Sequence, residues 1–281
     1  MRTAFEYEAA SALMKGQRDY QEDAIISDFA RGSDIGLVVL ADGMGGHAAG
    51  DVASRIVVTE VFSELVFQRA DPDRFEPLVP QCLRTAAMAA NTCLRNHVRD
   101  FPETRGMGAT LVAGVILREK LYWISIGDSP LFLFRDGVLT QLNEDHSMAP
   151  QIDFMVKSGL MSAEEGMCHP DRNVLTSVLF GEEIPKIDCP DDPVGLCEDD
   201  ILIVASDGLQ YLSNEQIQAA LRRNCHLSSN QIVDSLLQQV TGLEDPDLDN
   251  VSLSLVKFQR TVADRSSDVL NAPRSEMRCV G

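Results

Sequence analysis

Two Asp-Gly pairs close apolar runs in this chain, Ile35-Gly-Leu-Val-Val-Leu-Ala-Asp42-Gly43 and Asp200-Ile-Leu-Ile-Val-Ala-Ser-Asp207-Gly208. A buried strand that ends on a carboxylate, followed by a glycine that lets backbone come close, presents hard oxygen donors at a fixed point in a cleft. Asp249-Asn250 stands just ahead of another strand-like run, Val251 to Phe258, and Glu22-Asp23 follows Arg18 in Arg18-Asp-Tyr-Gln-Glu22-Asp23. Four acidic sites remote in sequence, with one arginine and no cysteine or histidine in ligand spacing, suit magnesium or manganese rather than zinc. The chemistry implied is phosphoryl hydrolysis.

Taken singly, Asp249-Asn250 reads as a turn, Arg18 as half of a surface ion pair and Glu22-Asp23 as an exposed acidic step. Their weight lies in their company. Gly43-Met-Gly-Gly46 lacks the spacing and lysine of a nucleotide-binding loop, and close backbone packing at a metal accounts for it better.

The elements that must position these residues follow from periodicity. From Asp42 the glycine-rich segment leads into a helix in which Ala49, Ala53, Val57, Val61 and Leu65 recur every fourth residue. A second helix carries Leu83, Ala87, Ala90, Leu94 and Val98, and Pro72, Pro77 and Pro80 separate the two. Short apolar runs at 110–117, 121–126, 131–134 and 138–142 predict an antiparallel meander, with Asp136-Gly137 as a type I′ hairpin loop. Residues 147–185 carry Pro150, Pro170 and Pro185 and a capping box at Ser162-Ala-Glu-Glu165, and are expected to form a mobile flap where substrate is selected. Ser213-Asn-Glu-Gln216 caps a further helix, and Ile232, Leu236, Leu237 and Val240 mark another before Gly242. Beyond Phe258 periodicity vanishes, which predicts a disordered tail over 259–281. Strands do not alternate strictly with helices, so a layered α+β domain with a central antiparallel core is expected rather than a doubly wound sheet.

At 281 residues with 44% hydrophobic content, the chain is long enough for one large core. Its net charge of −19, from 24 basic and 43 acidic residues, disfavours a nucleic-acid partner and is compatible with divalent cations. Seven scattered cysteines without a C-x-x-C pair argue against a disulfide framework and a zinc site, and fit a reducing cytoplasm. Acidic residues near the start and the lack of any long apolar run predict a soluble, unexported protein without a membrane partner, and a monomer is expected.

In order along the chain, Arg18-Asp-Tyr-Gln-Glu22-Asp23, Ala41-Asp-Gly-Met-Gly-Gly-His-Ala-Ala-Gly50, Gly106-Met-Gly-Ala-Thr-Leu111, Gly127-Asp128-Ser129, Glu144-Asp-His-Ser147, Ser206-Asp-Gly208 and Asp249-Asn250 resemble the motifs of the metal-dependent protein phosphatases of the type 2C (PPM) class, and of its bacterial members in particular. The resemblance covers most of residues 1–258, the expected catalytic domain. It implies a four-layer αββα sandwich, two central antiparallel sheets flanked by helices. It also implies a centre of two Mn2+ or Mg2+ ions, with a third weaker site, that hydrolyses phosphoserine and phosphothreonine in phosphoproteins and opposes a cytoplasmic serine/threonine kinase. Two such ions share a water and acidify it for in-line attack, so no covalent phosphoenzyme is needed.

By the same resemblance Asp42 is the bridging carboxylate with the Gly43 carbonyl as a further ligand. Asp207 and Asp249 hold one ion and Glu22 serves the other, directly or through water. Arg18 grips the phosphate through its planar guanidinium, and Asp23 orients either Arg18 or a metal-bound water. Asp128 is placed at the third metal, with Asp207 as co-ligand. The chain departs from the pattern at Met44, where eukaryotic members carry a histidine thought to protonate the leaving oxygen. His47, His146 and metal-bound water stay open as donors. Pro130 also stands where many relatives have arginine. Two other function classes compete, a regulatory pseudophosphatase and a phosphatase of small molecules or nucleotides. Retention of Asp42, Asp207 and Asp249 together speaks against the first.

Overall fold

In chain order the elements are β1 (Phe5–Met14), β2 (Asp23–Asp28), β3 (Ile35–Met44), α1 (Ala49–Gln68), α2 (Pro72–Phe75), α3 (Val79–Asp100), β4 (Gly108–Ala109), β5 (Leu111–Leu117), β6 (Lys120–Ile126), β7 (Leu131–Arg135), β8 (Val138–Gln141), α4 (Ala149–Lys157), α5 (Ala163–Met167), β9 (Val194–Gly195), β10 (Ile201–Ala205), α6 (Asn214–Asn224), α7 (Ser229–Thr241) and β11 (Val251–Arg260). This computed structural model describes residues 5–30, 33–45 and 49–260.

The strands form two antiparallel sheets. One runs in the order β1-β11-β10-β7-β8, and the other β2-β3-β5-β6-β9 with β4 beside β3. Side chains alternate across each strand, and in β3, β5 and β10 both faces are buried, which is why these strands read as continuous apolar runs. On β3, Leu37, Val39 and Ala41 pack towards α1 and α3, while Val38 and Leu40 join the layer between the sheets. On β10, Ile201, Ile203 and Ala205 pack towards α6 and α7, while Leu202 and Val204 face the opposite sheet. Three apolar clusters thus fill the three interfaces of a four-layer αββα sandwich, the architecture expected from the sequence. Helix α1 holds Gly50 and a β-branched run, so its stability comes from the fully buried stripe of Ala53, Val57, Val61 and Leu65 rather than from propensity.

The meander predicted over 110–142 is corrected by the structure. β5 pairs with β6 and β7 with β8, but β6 and β7 belong to different sheets, and Gly127-Asp128-Ser129-Pro130 carries the chain across. Pairing is non-local, and four apolar runs in succession do not reveal a change of sheet. The Asp136-Gly137 loop is as predicted: both residues have positive φ, 52° and 79°, as a type I′ turn requires. Strands β1 and β2 and helix α4 were not anticipated. Pro150, one of three prolines in the segment expected to be a flap, lies in the first turn of α4, where a missing N–H costs nothing. The capping boxes at Ser162–Glu165 and Ser213–Gln216 form, as does a third at Ser228–Gln231. Gln259 and Arg260 belong to β11, and the rest of the predicted tail lies outside the described residues.

Candidate metal centre

The sheets deliver carboxylates to one end of the sandwich. Asp23 on β2 lies directly opposite Asp42 on β3. The Asp42 N–H donates to Thr110 Oγ1 at 2.9 Å and its carbonyl accepts the Thr110 N–H at 2.8 Å. Thr110 Oγ1 also meets Ser129 Oγ at 2.8 Å, which ties Asp42 to the sheet-crossing segment that carries Asp128. Asp207 opens the short 3-10 turn after β10, and Asp249 lies one residue back from β11, with Asn250 between them. Asn250 staples the amino-terminal loop to that strand: its Oδ1 accepts the Glu22 N–H at 2.7 Å, and its Nδ2 donates to the Lys15 and Tyr20 carbonyls at 2.7 and 3.0 Å.

Gly43 is dictated by close approach. A Cβ there would stand 2.1 Å from the Gly50 carbonyl oxygen and 2.6 Å from that of Glu22. The Gly43 N–H donates to the Glu22 carbonyl at 3.1 Å, and the Glu22 carboxylate takes a hydrogen bond from the Gly50 N–H at the start of α1.

Arg18, Glu22, Asp42, Gly43, Asp128, Asp207 and Asp249, drawn from segments as far apart as β11 and the loop before β2, line a single inner hollow of about 360 Å³. An adjoining outer hollow of about 510 Å³ shares Arg18, Asp128, Asp207 and Asp249 and opens towards Asp145, Arg172 and Tyr211. Of the eight predicted residues only Asp23 stands back from the cavity. It is buried in the wall, where its Oδ2 accepts from Ser206 Oγ at 2.8 Å.

Crowded, buried carboxylates resist ionisation. Burial, then the nearby Asp23, Asp207, Asp128 and Asp249, holds the Asp42 carboxyl well above the ordinary range. Burial pushes Asp128 up to about 7, with Asp207 and Asp145 adding to it, and Asp23 up to about 6. Asp207 is raised by burial and by Asp249, and its Oδ1 is buried without any hydrogen-bond partner. Like-charged groups with an orphaned oxygen are what a hard cation satisfies, and the donors are all oxygen. Among the described residues no three His, Cys, Asp or Glu side chains close into a ready-made cage. Magnesium and manganese keep several waters and need few protein ligands, so the residues fit such ions.

Two of the alternatives left open are narrowed. Asp23 does not orient Arg18, because the Arg18 guanidinium pairs with Asp249 while Asp23 faces Ser206 and Ser252. His146 is 1% exposed, is absent from both hollows, and accepts the Gly127 N–H on Nδ1 at 3.3 Å, so it braces the sheet crossing. Burial lowers its pKa. His47 lies outside the described residues, and Met44 lines the inner hollow. Thr110, Ser129 and Asn250 stood in the quoted motifs without a role. Their signal was a polar side chain at the mouth of an apolar run. Asn173, Arg172 and Tyr211 carried none.

A model of the protein phosphatase 2C family matches residues 15–244. A protein of Streptococcus pyogenes named as protein phosphatase 2C-type is 33% identical over 250 residues, covering 86% of this chain and 93% of that protein. The serine/threonine protein phosphatase PstP of Mycobacterium tuberculosis is 35% identical over 188 residues, 66% of this chain, and the match spans 34% of that longer protein. The solved structure of the catalytic domain of a PstP in complex with two manganese ions superposes with a TM-score of 0.67 at 27% identity, covering 91% of this chain and 99% of that one.

Proposed function

The chain belongs to the protein phosphatase 2C family, and we propose that it hydrolyses phosphoserine and phosphothreonine in cytoplasmic phosphoproteins, opposing a serine/threonine kinase, as a monomer that needs manganese or magnesium. The observation that carries this is the convergence of Arg18, Glu22, Asp42, Gly43, Asp128, Asp207 and Asp249 on one hollow. Residues 1–258 are the catalytic domain in this account. The free cysteines fit a reducing compartment, and no helix among the described residues is long and apolar enough to cross a membrane.

Asp42, the Gly43 carbonyl, Asp207, Asp249 and Glu22 would hold divalent ions, with Asp128 at a weaker site, and such ions would neutralise phosphoryl oxygens as Lewis acids and acidify water. The chain's own residues do the rest. Arg18, half-exposed at the mouth of both hollows, exchanges its Asp249 partner for two phosphoryl oxygens, which its planar fork matches. Asp23 stays behind Asp42, and its hydrogen bonds with Ser206 and Ser252 hold the β2 end of the wall in place. Thr110 and Ser129 fix the backbone from which Asp42 and Asp128 project. Met44 is apolar and cannot donate a proton, and His146 is turned into the wall, so among the described residues no neutral-pH imidazole faces the substrate.

The test is hydrolysis of a phosphothreonine peptide by the purified chain with manganese. Turnover abolished by EDTA and by Asp207→Ala is expected. Binding without turnover would favour a pseudophosphatase, and a preference for nucleotides over phosphopeptides would favour a small-molecule enzyme.

A further inference from the structure

The outer hollow is larger than a phosphoryl group needs, and its lining holds a second cation. Arg172 lines this outer hollow but not the inner one, whereas Arg18 lines both. Arg172 is therefore placed for a part of the substrate beyond the phosphate. Its position is built. The 171–176 segment runs antiparallel to 146–148, with Ser147 bridged to Leu175, the Met148 N–H bonded to the Val174 carbonyl at 3.0 Å and the Thr176 N–H to the His146 carbonyl at 2.7 Å. Asp153, on α4, accepts from Arg172 Nη1 at 2.7 Å and Nη2 at 3.3 Å, and the Gly166 carbonyl on α5 lies 3.5 Å from Nη1. A guanidinium has five N–H donors in a fixed fork, so this clamp leaves Nε and an outer N–H for an incoming acceptor. The rest of the outer lining is rich in carboxylates, Asp128, Asp145, Asp207 and Asp249, and Arg18 is already paired with Asp249.

We propose that Arg172, held by Asp153, is a specificity-determining residue that binds a carboxylate of the phosphopeptide flanking the scissile phosphoserine or phosphothreonine. In a chain of net charge −19 an acidic peptide is repelled overall. Asp153 balances the Arg172 charge, so the lip offers such a peptide the two N–H donors that the clamp leaves, one two-pronged contact. Asp153 acts through Arg172 and is a positioning residue. The inference rests on the phosphoprotein-phosphatase function proposed above.

The experiment compares kcat/KM for phosphothreonine peptides that are identical except for flanking Glu, Gln or Lys. Wild type is expected to favour the Glu peptide over the Gln peptide by about tenfold, the size of one hydrogen bond to a charged group, chiefly through KM. Arg172→Ala should bring that ratio near one, Arg172→Lys should restore part of it, and Asp153→Asn should reduce it with Arg172 intact. Arg172→Glu should invert the preference towards the Lys peptide, which loss of structure alone would not do. Equal use of all three peptides by wild type, or a ratio unmoved in Arg172→Ala and Arg172→Glu, would overturn the inference while leaving the phosphatase function intact. Failure of wild type to hydrolyse any of them with manganese would remove both.

Discussion

Asp23 and Asp42 face one another across the β2–β3 pair, a like-charged cross-strand pair at the buried end of a sheet. Directly opposed like charges destabilise a sheet, and burial makes the conflict worse. The pair is tolerable where a cation neutralises it. Stability in this protein should therefore be tied to metal through the same carboxylates that would serve catalysis.

Removing one of those charges should expose the conflict. In EDTA, Asp42→Asn is expected to unfold with a free energy about 1 kcal/mol higher than wild type, because repulsion and burial of charge are relieved while size is kept. With manganese the order should reverse, since wild type gains ligand-linked stability and the variant does not. Thermal melts of both proteins with and without the ion would show it. An Asp42→Asn protein less stable than wild type in EDTA would speak against electrostatic conflict.

The pH dependence has a defined sign. Asp23 and Asp128 bind protons more tightly folded, near 6 and 7, than unfolded, where a carboxyl titrates near 3.8. Their stabilising contribution is complete below the unfolded value and is lost as pH rises through the folded values. Metal-free protein should therefore lose stability between about pH 4 and 8, and saturating manganese should flatten or reverse that slope because the ligands must be deprotonated to bind. Urea unfolding across this range measures it. A metal-free protein whose stability rises steadily with pH would contradict the assignment.

Thr110 bears on the site through the backbone of Asp42. Thr110→Val leaves the Asp42 N–H without its acceptor in a buried place, at a cost of about 1–3 kcal/mol, and loosens the link to Ser129. Weaker manganese binding should accompany the loss of stability. Calorimetric titration of the variant with manganese, set beside its urea midpoint, would decide; an unchanged affinity would show that Asp42 is held by other contacts.

Arg18 should affect metal and substrate in opposite directions. It is paired with Asp249, so in the proposed centre manganese would compete with the guanidinium for that carboxylate. Arg18→Gln is expected to bind manganese severalfold more tightly and to raise KM for a phosphopeptide at least tenfold, the loss of a charge-assisted contact. Weakened binding of both would mean that Arg18 supports the fold of the site.

How much of this could be read from the chain divides along a physical line. β3, β10 and β11 were legible because buried strands show as apolar runs, and Asp42, Asp207 and Asp249 because they terminate or precede those runs. β1 was not, since its glutamates and alanines have low strand propensity and it is held by its pairing with β11. The crossing of sheets at Gly127–Pro130 was hidden because pairing partners are set by the whole fold. The Arg18–Asp249 pair spans residues 231 apart in sequence, and no local pattern records it. His146 was a candidate proton donor by chemistry alone, and its burial against Gly127 could be known only from the packing.

Anomalous diffraction from crystals of the chain grown with manganese tests the central claim most directly. Peaks bounded by carboxylate oxygens of Asp42, Asp207 and Asp249 inside the inner hollow, and lost in Asp207→Asn, are the predicted result. Manganese bound elsewhere on the acidic surface, with that hollow empty at saturating ion, would contradict it.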